Sequence, residues 1–415
     1  MMGWTIIVLS QLLTVALWMA AKVLVPALTP AQAGTQIVAL LGIMCLIWTF
    51  VLAIRHSAIE NLFGGLDKVY KAHHILGGLA FILLLNHALL LIVGSMPADT
   101  LALYLIPGTS LSYSLGIMSL YFMLFLLALT FYIPLPYRYW KWTHEWMGIV
   151  ILLGGLHSML ISSDTARFMP LRYWILVWCV IAISAFLYKR FIYYFVKMSK
   201  YKIATIVKER ELLLLSLECL GEPIKFAPGQ FGFFSLPNRK RDDHAFSILS
   251  STGNKLIVGI KVIGNFTNKL TELKTGDELM IKGPYGKFAD KMTESKHMVW
   301  VAGGIGITPF LSMAKAVTNE QKVEMYFCAK VLPPPVMTEP FASLSARNPQ
   351  FVWLPCETSK GGRLVASNIF AQTGSDKNAY YMMCGPKGMM EGLAEQFALL
   401  GIKRSHIIYE DFSFK

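Results

Sequence analysis

"YKAHHILGGLAFILLLNHALLLIVG", Tyr70 to Gly94, is an apolar stretch long enough to cross a bilayer, and it carries His73, His74 and His87. Ionisable side chains at membrane depth are costly and mark function. A second stretch, "HEWMGIVILLGGLHSMLI", repeats the pattern with His144 and His157. Together they make the first half of the chain a membrane bundle that holds something between its helices.

The whole chain bears this out in composition. Of 415 residues, 55% are hydrophobic and only 15% charged, too apolar for a protein wholly in water. Long apolar runs extend to about Tyr188, and from Lys197 onward the sequence has the charges, alternating strands and Gly/Pro turns of a soluble module. Six runs approach the roughly 20 apolar residues of a spanning helix: Trp4–Leu28, Gln36–Ile54, Tyr70–Gly94, Tyr113–Ile133, His144–Ser162 and Leu171–Tyr188. With the N-terminus cytoplasmic, the inner loops and the segment after the last span carry ten Lys and Arg, against Lys22, Arg167 and Arg172 outside. That asymmetry sets the orientation and places the second half in the cytoplasm. Ala31-Gln32-Ala33 resembles a signal-peptide cleavage site, but no basic segment precedes the apolar run, which is also too long.

Charge and cysteine usage exclude other classes. Much of the net charge of +13 is juxtamembrane, which suits anionic lipid, and no basic helix or aromatic-interleaved patch points to nucleic acid. The six cysteines form no C-x-x-C pair, which argues against zinc, an iron–sulfur cluster or a disulfide framework.

Four histidines pair by spacing: His73 with His87, 14 apart, and His144 with His157, 13 apart. At 1.5 Å per residue the members of each pair lie about 20 Å apart along a helix, and both spans run the same way. His73 and His144 therefore share one depth, and His87 and His157 another. Two bis-imidazole stations stacked across a membrane suit a pair of b-type haems, whereas zinc needs four ligands at one depth. Fourteen residues return within about 40° of one helix face, but thirteen leave side chains about 140° apart. The second pair thus requires a distortion, for which Gly154-Gly155 is the evident place. His74 is a spare, read as an interfacial residue or a neighbour of a haem propionate, with His73 the preferred ligand.

The second half supplies strands. "KIATIV", "LLLLSLEC", "FGFFSL", "KLIVGIKVIG" and "DELMIKGPYG", broken by Pro and Gly, predict a small antiparallel barrel. Within it lie "HAFSILSS" (His244–Ser251) and "GNFTNKL" (Gly264–Leu270), the latter a loop entering a helix whose first amides and Thr267 hydroxyl suit a pyrophosphate. From about Glu294 the pattern becomes strand, glycine turn, helix: "HMVWVAGGIGITPFLSMAKAV", then "AYYMMCGPKGMMEGLAEQF". Glycines let backbone approach a dinucleotide phosphate, and Pro309 suits a first helical turn. A glycine turn is equally a tight structural connection; two of them behind a flavin-type barrel are more specific.

"HAFSILSS", "GPYGKF", "VAGGIGITPF", "CGP" and the closing "YEDFSF" resemble the ferredoxin-reductase-type FAD/NADP module. Joined to six spans with paired histidines, the chain resembles the NADPH oxidase and ferric reductase superfamily, most of all its compact bacterial NADPH oxidases. The resemblance implies a six-helix transmembrane haem-binding bundle (1–196), an antiparallel FAD-binding β-barrel (197–293) and an α/β nicotinamide-nucleotide-binding domain (294–415), in a bacterial inner (plasma) membrane. It implies FAD held by His244, Ala245, Phe246, Ser247, Gly264 and Thr267. NADPH, or NADH, would be held by Gly303, Gly304, Gly306, Thr308 and Pro309, with Cys384, Gly385 and Pro386 near the nicotinamide. Lys330 and Arg363 are basic candidates for a 2′-phosphate, each also readable as a solvated charge. Phe412 matches the aromatic that covers the flavin, with Phe414 as rival. Ala245 stands where the family commonly has proline.

Flavin lies between a two-electron hydride donor and one-electron haems, so the implied path runs from NADPH through FAD to a haem on His73/His144, a haem on His87/His157 and an outside acceptor. The outer loop from Ser95 to Ser112 has Asp99 as its sole charge, which favours oxygen, reduced to superoxide, over a ferric ion. A ferric or quinone reductase is the alternative, and a nucleotide-sensing carrier or channel the reading from another class. No calcium-loop or SH3-ligand pattern appears, so activity is expected without a cytosolic activator.

Overall fold

The computed structural model describes residues 2–24, 30–94, 101–108, 110–196, 198–330, 335–362 and 364–410, which divide into two compact units, Met1–Val196 and Lys197–Phe414. The first is wholly helical: α1 (Met2–Leu24), α2 (Pro30–Leu52), α3 (Ser57–Phe63), α4 (Leu66–Gly94), α5 (Leu101–Leu105), α6 (Leu111–Phe131), α7 (Tyr137–Glu145), α8 (Met147–Leu160), α9 (Asp164–Arg167) and α10 (Met169–Leu187), which runs on into a π turn at Tyr188–Ile192. Among the described residues five helices are long and apolar enough to cross a membrane.

The expected fifth span, His144–Ser162, is the departure. It is broken at Trp146 into α7 and α8. With 14 residues, α8 covers about 21 Å, short of a hydrocarbon core of about 30 Å. The reason lies in α7, "YRYWKWTHE", which is built from Trp, Tyr and basic residues as an interfacial helix is; Lys141 lies over the Tyr194 ring at 5.3 Å and Arg190 pairs with Glu145 at 3.1 Å. The distortion predicted at Gly154-Gly155 is therefore at Trp146, and α8 passes through both glycines unbroken. Those glycines sit close to neighbours instead: a Cβ on Gly154 would meet Ser119 Oγ at 3.2 Å.

Tryptophans knit the bundle. Trp48 Nε1 donates to Ser10 Oγ and Trp174 Nε1 to Thr14 Oγ1, both at 2.9 Å, tying α2 and α10 to α1. Lys22 pairs with Asp164, which is 1% exposed, and donates to Gln36 Oε1 at 3.2 Å.

The second unit begins with six strands, β1 (Ser199–Glu209), β2 (Leu212–Cys219), β3 (Phe231–Ser235), β4 (His244–Thr252), β5 (Lys255–Lys261) and β6 (Glu278–Tyr285), with α11 (Asn265–Leu270) between the last two. They close into a barrel in the order β1-β2-β5-β4-β3-β6, every pairing antiparallel. Its core is a plug of fully buried Ile203, Leu215, Leu217, Phe234, Val258 and Ile281. Closure leaves no free strand edge.

A five-stranded parallel sheet follows, β7 (His297–Gly303), β8 (Lys322–Ala329), β9 (Phe351–Glu357), β10 (Tyr380–Cys384) and β11 (Ile407–Tyr409), in the order β11-β10-β7-β8-β9. Its helices are α12 (Thr308–Ala314), α13 (Pro335–Arg347), α14 (Thr358–Gly361), α15 (Ala366–Gln372) and α16 (Lys387–Leu399). The central strands β7 and β10 are near-continuous apolar runs, as strands covered on both faces must be; β7 is buried along nearly its whole length. Barrel and sheet meet where Gly229 N–H donates to Ser312 Oγ of α12 at 2.8 Å.

Candidate functional site

The bundle brings one of the predicted imidazole pairs ring to ring. His73, on α4, has its ring 6.1 Å from that of His144, on α7, with planes at 66°. Two imidazoles sharing one metal ion require about this separation, since each ring centre stands about 3 Å from the ion when metal–nitrogen bonds are about 2 Å. His74 lies beside His73, ring centres 5.9 Å apart.

Three of the four histidines are oriented identically. His73 Nδ1 lies 2.9 Å from the Thr49 carbonyl oxygen, His87 Nδ1 2.9 Å from that of Thr35, and His157 Nδ1 2.7 Å from that of Ser112. A carbonyl only accepts, so each Nδ1 carries the hydrogen and each Nε2 keeps its lone pair. This outer layer of hydrogen bonds is what prepares an imidazole to bind a metal. His144 Nδ1 is buried with no hydrogen-bond partner among the described residues, and its ring stacks on Trp140 at 5.3 Å. The accepting carbonyls share the spacing of the ligands: Thr35 and Thr49 are 14 apart on α2, as His73 and His87 are on α4. Two antiparallel helices thus present the same two stations. The chemistry and orientation of the imidazoles fit haem iron. Among the described residues no three His, Cys, Asp or Glu side chains gather to hold a bare metal ion.

Gly116 of α6 completes the His157 environment, because a Cβ there would fall 2.9 Å from the imidazole Cε1. Neither Gly116 nor the Thr35/Thr49 pair stands out in the sequence. The threonine spacing is visible there in principle; the glycine carries no signal without its neighbour.

In the second unit the two predicted flavin motifs meet. His244 and Phe246 project from the same face of β4, and both stack on Phe266 of α11, at 4.0 Å and 6.2 Å with planes within 20° of parallel. Asp242 Oδ1 stands 3.1 Å from His244 Nε2. Ala245 and Ser247 take the other face, paired with Phe233 and Phe231 of β3. The Thr267 hydroxyl turns inward: it donates to Gly264 O and accepts from the N–H groups of Gly264 and Ile263, all at 3.0 Å. These bonds set the turn that opens α11. Phe266 lies within the quoted motif, where nothing in the sequence distinguishes it.

The two glycine turns, some 80 residues apart in sequence, pack backbone to backbone at the carboxyl ends of the adjacent strands β7 and β10, the edge where open α/β sheets bind ligands. A Cβ on Gly306 would lie 2.2 Å from Cys384 O; one on Gly303 would lie 2.8 Å from both Pro386 Cδ and Met389 Sδ; one on Gly385 would lie 3.0 Å from Gly303 Cα. Gly304 is different: it is exposed, has φ +56, and a Cβ there meets nothing within 4 Å. Three glycines are therefore required by packing and one presents free backbone. Thr308 Oγ1 donates to Ile305 O at 2.9 Å, and Pro309 stands in the first turn of α12. Lys330 is exposed just past β8.

Cys384 is buried, and burial, followed by the Glu410 carboxylate, pushes its thiol up. Glu410 is itself 4% exposed, and a Cβ on Gly286 of the barrel's "GPYG" loop would come within 3.3 Å of its Oε1. The flavin-side loop, the Cys384 turn and a buried acid thus converge. Glu410 stands in the quoted "YEDFSF", and its position beside Cys384 is what sequence alone does not reveal. Arg363, Phe412 with its rival Phe414, and Asp99 lie outside the described residues.

Known proteins match in three consecutive blocks: a ferric reductase like transmembrane component over residues 38–155, an oxidoreductase FAD-binding domain over 200–289 and an oxidoreductase NAD-binding domain over 300–395. One component of the Na(+)-translocating NADH-quinone reductase of Actinobacillus succinogenes is 27% identical over 165 residues, 36% of this chain and 40% of that component's own length. The probable dihydroorotate dehydrogenase B (NAD(+)) electron transfer subunit of Pyrococcus abyssi is 31% identical over 193 residues, 46% of this chain and 70% of that one. Among solved structures, flavohemoglobin from Malassezia yamatoensis covers 93% of this chain and 99% of its own with a TM-score of 0.51 at 16% identity, a likeness of fold alone. With oxidoreductase FAD-binding and NAD-binding domains behind a ferric-reductase-like transmembrane component, the chain belongs to the NADPH oxidase/ferric reductase architecture.

Proposed function

We propose that the protein carries electrons from cytoplasmic NADPH through FAD and two b-type haems to oxygen on the opposite face of a bacterial inner membrane, releasing superoxide. The observation that carries this is the pair of imidazole stations on α4, each fixed by a carbonyl of α2 with Nε2 left as the donor. When bound, FAD takes a hydride and returns electrons singly, and haem iron passes them one at a time.

The chain's own residues do the holding. Gly304, with Thr308 and Pro309 behind it, receives the dinucleotide, and Lys330 and Arg363 favour the 2′-phosphate of NADPH over NADH. His244 and Phe246 on their Phe266 support, with Ala245 and Ser247, orient the flavin; Gly264 meets its pyrophosphate; Cys384, Gly385, Pro386 and Glu410 border the nicotinamide; Phe412 shields the flavin. His73 with His144 and His87 with His157 hold the irons. Membrane lipid is its environment, activity requires no obligatory cytosolic activator, and nucleic acid takes no part.

The test is His87→Ala and His157→Ala. Each should lose one of two haems and stop transfer to the far face, while NADPH still reduces the flavin. Retention of both haems would overturn the ligand assignment. A second reading has its own support: the Actinobacillus relative is named as part of an NADH-quinone reductase, so a quinone is the rival acceptor, and the transmembrane family's name points to ferric ion. Fast NADPH oxidation that needs added quinone or ferric chelate, and is slow with oxygen alone, would select that reading.

A further inference from the structure

Two cysteines stand side by side where β8 and β9 end. In the parallel register of these strands Cys328 pairs directly with Cys356, and residues paired in this way project from the same face of a sheet. Neighbouring strands lie about 4.8 Å apart, inside the Cα separation of about 4.4–6.8 Å that a disulfide spans. Both thiols are free and half-buried, unlike the buried Cys45, Cys179 and Cys384. They contact one another, and Cys356 Sγ also reaches the Gly362 carbonyl at 3.9 Å. The strand ends are already laced together here by Thr358 Oγ1, which donates to Ala329 O at 3.2 Å.

The position is what gives the pair meaning. Carboxyl ends of parallel strands form the ligand edge. Lys330 follows Cys328 by two residues, and β9 leads through α14 into the segment of Arg363. The pair thus sits at the strand end that carries Lys330, the described base assigned to the nucleotide's 2′-phosphate. A covalent tie between the strand ends would restrict the position of Lys330.

We propose that Cys328 and Cys356 are a reversible dithiol/disulfide couple, oxidised by hydroperoxide, that lowers affinity for NADPH when closed. Cys356 reacts first: its sulfur attacks the peroxide oxygen, giving a sulfenic acid and one water. The Cys328 sulfur then attacks the Cys356 sulfur, its own proton leaving with the displaced hydroxide as a second water. Two thiols and one hydrogen peroxide thus yield one disulfide and two waters. Burial, followed by the charge and hydrogen bond of Cys356, pushes the Cys328 thiol up to about 12, which disfavours it as the thiol that meets peroxide; its place beside Cys356 in the strand register is what lets it close the bond. A bridge between adjacent strands of one sheet departs from relaxed geometry and is correspondingly easy to reduce, as a regulatory bond must be.

The test uses the full-length protein in detergent, treated with hydrogen peroxide, alkylated and mapped by mass spectrometry. A Cys328–Cys356 cross-linked peptide, removed by dithiothreitol, and a KM for NADPH that rises severalfold and returns on reduction would support the proposal. Cys328→Ser and Cys356→Ser should each abolish both the cross-link and the KM change. Sulfinic acid without a cross-link, pairing with another cysteine, or a cross-link that leaves KM unmoved would overturn it. Because peroxide is added and NADPH-dependent flavin reduction is the readout, the result does not depend on whether oxygen is the terminal acceptor.

Discussion

Gly306 and Gly304 stand two residues apart in one turn, and substituting each with alanine separates a glycine kept for packing from one kept for its ligand. At Gly306 the new Cβ would lie 2.2 Å from Cys384 O, 2.5 Å from its carbonyl carbon and 2.7 Å from Gly385 N. All three are backbone atoms of a strand end paired with β7, so nothing flexible can yield. Restoring contact needs a shift of about 1 Å between two turns held by a parallel ladder, which belongs at the upper end of the roughly 1–3 kcal/mol typical of overpacking. For a unit of this size about 3 kcal/mol lowers the melting temperature by about 6–12 °C. Gly304→Ala meets no neighbour within 4 Å, and its φ of +56 costs an alanine about 1–2 kcal/mol. The assay is a thermal melt followed by flavin release, together with KM for NADPH in flavin reduction. Gly306→Ala should melt far below wild type, whereas Gly304→Ala should melt slightly below it and show a raised KM. A Gly306→Ala protein with wild-type melting, or a Gly304→Ala protein with unchanged KM, would refute the division of roles.

Three further outcomes are expected. Gly116→Val should displace the His157 imidazole and remove one haem, read as half the haem per protein with the His73/His144 absorbance intact. His297 bridges Asp376 at 2.7 Å and Glu324 at 2.6 Å, with Lys322 also on Glu324 at 2.6 Å. Burial opposes its charge, but the two carboxylates outweigh that and raise its pKa above 6.5, while His297 holds Glu324 and Asp376 below their ordinary 4.5 and 3.8 against the same burial. The imidazolium contribution is full below pH 6.5 and lost as pH rises through the folded value; the carboxylate contribution is present above their unfolded values and lost as pH falls. His297→Gln, which leaves Lys322 on Glu324, should therefore destabilise most just below pH 6.5 and progressively less as pH rises through the folded value of His297, seen as converging melting temperatures. Lys330→Ala should raise KM for NADPH severalfold and leave KM for NADH unchanged.

The parts of the fold that sequence disclosed are those where pattern is local. "LLLLSLEC" is β2 residue for residue, and the apolar runs of α1, α4 and α6 needed only length. The break at Trp146 was misplaced because glycines suggest distortion by propensity, whereas the actual cause is a run of interfacial aromatics and cations that ends one helix before the next begins. The histidine spacings disclosed the two stations, but their orientation depends on carbonyls of another helix, and hydrogen bonds between distant segments leave little trace in one chain. The glycine turns are legible as motifs, but that three of four are fixed by mutual packing follows from β7 and β10 being neighbours, which neither stretch records by itself. Glu410 and Phe266 lay within recognised stretches, undistinguished until their partners were known.

The central claim is best tested by the visible spectrum of the purified protein with FAD and NADPH under air, with cytochrome c reduction measured with and without superoxide dismutase. The account predicts low-spin b-type bands from two haems per chain, reduced by NADPH, and cytochrome c reduction that dismutase suppresses. A protein that binds FAD and oxidises NADPH yet shows no such bands would contradict it.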